Sequence, residues 1–351
     1  MTANRNGFIE LIRIILAYMI AAMHFNGSAS GAYLGLEFFF MISGFYQMQK
    51  MEAGDFSPFP YTVNRFLKLI FVYETSILML AFFGESGIDP MLFLRRMFIS
   101  LPDMLCLQMV GIAHVSINPE LWYVSSMLTA GFVLALLHKL FQGKFRYLLP
   151  IITIFCYSML YKHYGTLEIN HLVRDFSVPS GTIRGLAGMS LGCLLYYADA
   201  FIKAIDASRC KTSVLSLLFV FTSIISALCF FFKAHSSYDF FILFCAPAIL
   251  LCAFSGETVF NNFFDRTGNT INALLGKQFS FGLVCYTAFS IVSSALLIPY
   301  HKLSSGAALA VFLLYLSIIS FAGAKLADSF NKKYINKLVS AIDKLSISKH
   351  Q

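Results

Sequence analysis

Residues 8–25 read FIELIRIILAYMIAAMHF, a stretch in which Glu10, Arg13 and His24 are the only acidic or basic side chains. A helix needs about 20 mostly apolar residues to cross the hydrocarbon of a bilayer. Arg13 interrupts the run and no small-residue cleavage site follows it, so it reads as a first membrane helix and not as a removable leader. The rest of the chain repeats the pattern. Of its 351 residues 58% are hydrophobic and only 13% charged, with a mean hydropathy of +0.72. An ordinary soluble domain carries about a quarter charged residues and has no way to hide that much apolar surface.

Nine further runs are long enough to span, at 31–50, 67–84, 121–141, 147–163, 180–198, 212–233, 238–255, 279–298 and 306–327. None alternates with period two, as strands of a membrane barrel do. Lipid offers no partners to backbone N–H and C=O groups, which leaves helices. The expected fold is an all-α, polytopic bundle of ten transmembrane helices. Residues 92–113 are apolar but broken by Arg95, Arg96, Pro102 and Asp103, and read as an interfacial or re-entrant piece. Residues 1–330 form the membrane domain. Residues 331–351 form a basic tail whose Tyr334, Ile335, Leu338, Val339, Ile342 and Leu345 suit an amphipathic helix on the inner leaflet, or a solvated extension.

The net charge of +8 does not point to nucleic acid, because the basic residues fall in short gaps between apolar runs. With ten spans and an internal N-terminus, nineteen of the 26 Lys and Arg lie on the cytoplasmic side and seven outside. The positive-inside rule then places both termini in the cytoplasm of a multi-pass cell-membrane protein. The eight cysteines are scattered and form no metal-ligand or C-x-x-C spacing. They read as small packing residues, and no metal is expected. No internal repeat is evident, which argues against an inverted-repeat transporter.

Ionisable residues inside a membrane helix are costly and are functional hypotheses by default. Arg13 and His24 are eleven positions apart, roughly 20° past three full turns at about 100° per residue. They share one face, separated by ~16 Å along the axis. Imidazole is the side chain best suited to take a proton near neutral pH. The plainer readings are a polar helix end for His24 and a snorkelling side chain for Arg13. Glu10, one turn earlier, is spaced to pair with Arg13. Glu37 is an acid in the second run and needs a partner, either His24 or a basic residue. Beside His24 it would orient the imidazole.

Together these residues resemble the start of the acyltransferase 3 family, membrane O-acyltransferases that acylate bacterial cell-surface glycans. The family's acid, R-x10-H and G-V-[DE]-x-F-F-x-x-S-G-[FY] motifs are matched by Glu10, Arg13, His24, Gly35, Glu37, Phe39, Phe40, Ser43, Gly44 and Phe45. A basic pair opening the third helix is matched by Arg65 and Lys68, with Lys in place of the usual second Arg and no following proline. An L-W-[FY]-x-S motif is matched by Leu121, Trp122, Tyr123 and Ser125; the Glu many members carry next is absent, as in the exopolysaccharide-modifying branch. Arg184 with Gly185, Gly188 and Gly192 matches an Arg before a Gly-rich helix start. The likeness spans about residues 8–327 and is strongest over the first 130.

The resemblance implies transfer of an acyl group, acetyl first and succinyl as the alternative, from cytoplasmic acyl-CoA to a glycan hydroxyl in the bacterial plasma membrane. His24 is the expected general base, oriented by Glu37. Arg13, Arg65 and Lys68 are the expected ligands of the CoA phosphates. Ser43, Trp122, Tyr123 and Arg184 are candidates for substrate or oxyanion contacts. Against these stand interface anchoring for Trp122 and Tyr123, close helix packing for Ser43 and Gly44, an outer-interface charge for Arg184, and a topological role for Arg65 and Lys68. His114, His138, His163, His171, His235 and His301 read as interfacial. The partners are acyl-CoA, a glycan acceptor and the bilayer, with a homo-oligomer left open. The rival reading is a transporter exporting a glycan or lipid-linked intermediate.

Overall fold

The computed structural model describes residues 6–54, 56–83, 90–111, 116–168, 178–206, 208–231 and 237–347. In chain order the helices are α1 (Gly7–Asn26), α2 (Gly35–Glu52), α3 (Pro58–Phe83), α4 (Pro90–Ile99), α5 (Leu101–Met104), α6 (Trp122–Phe141), α7 (Phe145–Tyr164) and α8 (Ser180–Ala204). They continue with α9 (Arg209–Phe231), α10 (Ile242–Ser255), α11 (Asn261–Leu275), α12 (Phe279–Cys285), α13 (Thr287–Leu297), α14 (Ser305–Phe330) and α15 (Asn336–Ile347). No strand occurs among the described residues. The protein is therefore all-helical, as its apolar runs require.

Seven stretches are long and apolar enough to cross a membrane, or eight if the bent pair α12–α13 is one span. This defines a multi-pass membrane protein, with a smaller count than the ten runs of the sequence. One stretch, 119–164, is 46 residues long. It is divided at Gln142, whose φ of 44° and ψ of −126° leave the helical region, so that α6 and α7 are 20 residues each. A 20-residue helix is about 30 Å long, the thickness of the hydrocarbon. The run at 31–50 is absent from the seven because α2 carries Glu37, Lys50 and Glu52. It does not need to be uniformly apolar, since most of its residues are buried against protein. Gly44 lies against the Met189 backbone and Gly192 against the Met41 backbone, where an added Cβ would stand 2.1 Å from a carbonyl oxygen in each case. These glycines let α2 and α8 pack backbone to backbone. By contrast α7 and α9 expose Ile154, Phe155, Leu217 and Phe221 outward, as lipid-facing helices do.

Local signals set the helix ends. The Asn6 side chain accepts from the Ile9 N–H at 3.1 Å and Gly27, at φ 75°, closes α1 through Met23 O. α3 begins at Pro58, earlier than the run at 67–84, because proline is tolerated in a first helical turn and Asn64, Arg65 and Lys68 are polar without breaking the helix. α11 is absent from the sequence reading. It is amphipathic and not apolar, so it contains no run long enough to span. It packs against the start of α1, where Asp265 accepts the Gly7 and Phe8 N–H groups.

Residues 90–104 form only short helices. At ten residues α4 is about 15 Å long, half of a crossing, and exposes Met91, Leu94 and Phe98. The chain then dips inward at Asp103, whose side chain is fully buried and accepts from the Ile117 N–H at 2.8 Å. Burial raises the Asp103 carboxyl above its usual range, opposed by hydrogen bonds from Ser116, Ile117 and Gln108. The run at 279–298 is also not one rod. It bends by 65° at Tyr286, and the freed Cys285 carbonyl accepts from Asn118 Nδ2 at 3.0 Å. The tail is not a detached extension at its start. α14 runs on through a π-helical turn at Asn331–Ile335 into α15, and Ile335 is buried. Of the cysteines, Cys210 is exposed and Cys229 half-buried, and the other six pack inside.

Candidate active site

Three arrangements contain the residues singled out from the sequence. The first is a cavity of ≈ 270 Å³ between α1, α2, α3, α6 and α12. Arg13, Arg65, Lys68 and Lys277 line it, together with Ser43, Tyr123 and Gln278. Arg13 reaches the wall while holding Glu10 at 3.1 Å, the one-turn pairing expected of them. Arg65 and Lys68, a turn apart on α3, share a face. Arg65 directs one N–H to the Met127 thioether at 3.0 Å, a weak acceptor that cannot neutralise it. Ser43 donates to the same sulfur at 3.1 Å. No carboxylate stands among the lining residues. Glu10 offsets the charge of Arg13, and the excess of cations lining the space still makes it attractive to an anion. Lys277 was missed by sequence reasoning; it lies in the link between α11 and α12, where a lone lysine signals only topology.

The second arrangement is the imidazole and its acid. His24 Nε2 lies 2.8 Å from Glu120 Oε2. Glu120 sits in a 3₁₀ turn, Pro119–Leu121, capped by Asn118, whose Oδ1 accepts from the Glu120 N–H at 3.2 Å. Asn118 is fully buried and its Nδ2 reaches Cys285 O and, at 3.3 Å, Ser76 Oγ. The turn carrying the acid is thus tied to the break in the α12–α13 pair. Because Nε2 faces a carboxylate, it is the protonated nitrogen, and Nδ1 is left with the lone pair. His24 does not line the cavity. Tyr123, three residues after Glu120, does, so the turn that carries the acid leads into the helix that lines the cavity. The Tyr123 hydroxyl makes no hydrogen bond among the described residues.

The third arrangement corrects an expectation. Glu37 does not meet His24. Its Oε1 accepts from Arg184 Nε at 2.7 Å and its Oε2 from the Tyr157 hydroxyl. Both charged side chains are wholly buried. Arg184 also donates to Leu167 O and Tyr33 O, each at 2.9 Å. It is therefore not an outer-interface charge, and its contacts hold α2, α7 and α8 together. Of the two partners open to Glu37, the basic residue takes it, because Arg184 lies beside it across the close α2–α8 contact. Trp122 lies under Arg184, with the guanidinium carbon 5.7 Å from the ring centre. Trp122 and Tyr123 are both buried in the bundle and not at its lipid interface.

Among the histidines, His138 approaches Glu52 at 3.9 Å, and His163 packs edge-on to Tyr164. Arg5, His114, His171, Arg174, Lys233, His235 and Lys349 lie outside the described residues. No group of three metal-ligating side chains occurs among the described ones.

Fold and site together define a class: a helical multi-pass membrane protein with a cationic cavity and a histidine–carboxylate pair near it. No family model, no curated protein and no solved structure matches the chain.

Proposed function

We propose that this chain is a membrane-bound O-acyltransferase that moves an acyl group, acetyl first, from cytoplasmic acyl-CoA to a hydroxyl of a cell-surface or exported glycan. The observation that carries the reading is the convergence of Arg13, Arg65 and Lys68 on one cavity without an acid on its wall. These are the cations that the resemblance to the acyltransferase 3 family marks for CoA. Guanidinium and ammonium groups hold phosphates through charge-assisted hydrogen bonds.

The pantetheine arm then points along the cavity toward Tyr123, and the ~16 Å of helix between Arg13 and His24 is comparable to its extended length. His24 Nδ1 takes the proton of the acceptor hydroxyl as its oxygen bonds to the thioester carbonyl carbon. Collapse of the tetrahedral adduct breaks the C–S bond, and the imidazolium proton passes to the leaving thiolate. Glu120 keeps the imidazole in the required tautomer and offsets its transient charge. Tyr123 is the best placed hydroxyl for the developing oxyanion. Glu37 and Arg184 act as framework in this scheme, with Ser43 and Trp122 contributing packing. In the full proposal ten crossings put both termini in the cytoplasm of a bacterial plasma membrane.

The test uses purified protein in lipid nanodiscs with labelled acetyl-CoA and a glycan extract. Release of CoA that is lost in His24→Ala supports an acyltransferase centred on α1. No binding and no turnover with acetyl- or succinyl-CoA would shift the weight to export of a glycan or lipid-linked intermediate. That second reading has one observation in its favour, the 65° break at Tyr286, since discontinuous helices are common at transporter sites. The carbonyl freed by the break is already taken by Asn118, which weakens it.

A further inference from the structure

Gln278 sits just before α12 and lines the cavity between the cations and the apolar end. It is buried, at 8% exposure. Its Nε2 donates to Lys68 O at 2.6 Å, and that carbonyl also accepts from Asn331 Nδ2 at 2.9 Å. An acceptor on that side fixes the amide orientation: the NH₂ must face Lys68, and Oε1 must face away. Oε1 is buried and has no hydrogen-bond partner. A buried carbonyl acceptor left unpaired is unfavourable unless something occupies it. From Gln278 to Val284 the lining follows α12 for about 9 Å of rise. Its cationic start is marked by Lys277, and its apolar part by Phe281 and Val284.

We infer that Gln278 is a binding residue for the donor, its Oε1 accepting an amide N–H of the pantetheine arm just beyond the phosphates. The inference rests on the acyl-CoA reading above. Pantetheine carries secondary amides, each with one N–H, on an otherwise flexible arm. A single fixed acceptor among apolar walls sets the depth to which such an arm slides, and so where the thioester stops. Asn331, from the π-helical turn after α14, donates to the same Lys68 carbonyl that holds the Gln278 NH₂.

The test dissects the donor into its parts. Full-length protein in nanodiscs is titrated with CoA, with adenosine 3′,5′-bisphosphate, which has phosphates and no pantetheine, and with S-acetyl-pantetheine, which has the two amides and no phosphate. Gln278→Met is expected to weaken CoA and S-acetyl-pantetheine by about tenfold and leave the bisphosphate unchanged. Gln278→Asn keeps an amide but withdraws it by one methylene, and is expected to give the same selective pattern. Equal loss for all three probes would mean that Gln278 only supports the cavity, and no loss for any would mean that the arm does not use it. Either result overturns the inference while leaving the acyl-CoA reading in place. A wild type that binds none of the probes overturns both.

Discussion

Glu37 and Arg184 stand 147 positions apart in the chain and are joined by a 2.7 Å ion pair with neither side chain exposed to solvent. The same guanidinium caps two backbone carbonyls, and the same carboxylate accepts a tyrosine hydroxyl. Such a pair is a structural commitment. Desolvating two charges is expensive, so their attraction offsets the cost only while both partners remain.

Glu37→Ala should therefore lower stability by about 3–5 kcal/mol by leaving Arg184 charged and unpaired. The double replacement Glu37→Leu with Arg184→Met should recover most of that. Denaturant unfolding of the purified protein measures both. A Glu37→Ala protein of wild-type stability that has lost only turnover would restore this carboxylate to the chemistry.

Glu120→Gln removes the carboxylate from His24 Nε2 but keeps a group of similar shape. The expected result is a fall in kcat of tenfold or more with KM for the donor little changed, since the acid touches the base and not CoA. Steady-state rates with acetyl-CoA decide it. A change in KM alone would move Glu120 into donor binding.

Arg65→Ala and Lys68→Ala should each raise the KM for acetyl-CoA by roughly tenfold or more, the worth of one hydrogen bond to a charged group. Lys277→Ala should do the same, although nothing in the sequence singled it out. Donor affinity should also fall with added salt, as screening weakens a site in which Lys68 and Lys277 are exposed and Arg13 and Arg65 half-buried. Insensitivity of KM to both salt and these substitutions would show that the cavity does not hold phosphates.

A reporter fused after Gln351 tests the topology. A ten-crossing chain with an internal N-terminus returns its C-terminus to the cytoplasm. A reporter active only outside the cell would require either an odd number of crossings or an external N-terminus, and either overturns the ten-crossing topology.

What the sequence determined by itself is local. A segment in lipid must satisfy its own backbone and present apolar side chains, so the positions of α1, α6, α7, α8, α9 and α14 are written in runs of about 20 residues. The spacing of Arg13 and Glu10 on one helix, and of Arg65 and Lys68 on another, is legible for the same reason. α11 was not legible because an amphipathic helix packed against α1 has no apolar run, and the bend at Tyr286 was hidden inside one. The tertiary structure alone decided who partners whom. Glu37 met Arg184 and not the nearer His24, because α2 is buried against α8 at glycines that allow backbone contact. His24 found Glu120, held by a turn anchored on a broken helix. Ion pairs depend on distances of a few ångströms in space, and no pattern along one chain encodes those until the helices have chosen their neighbours.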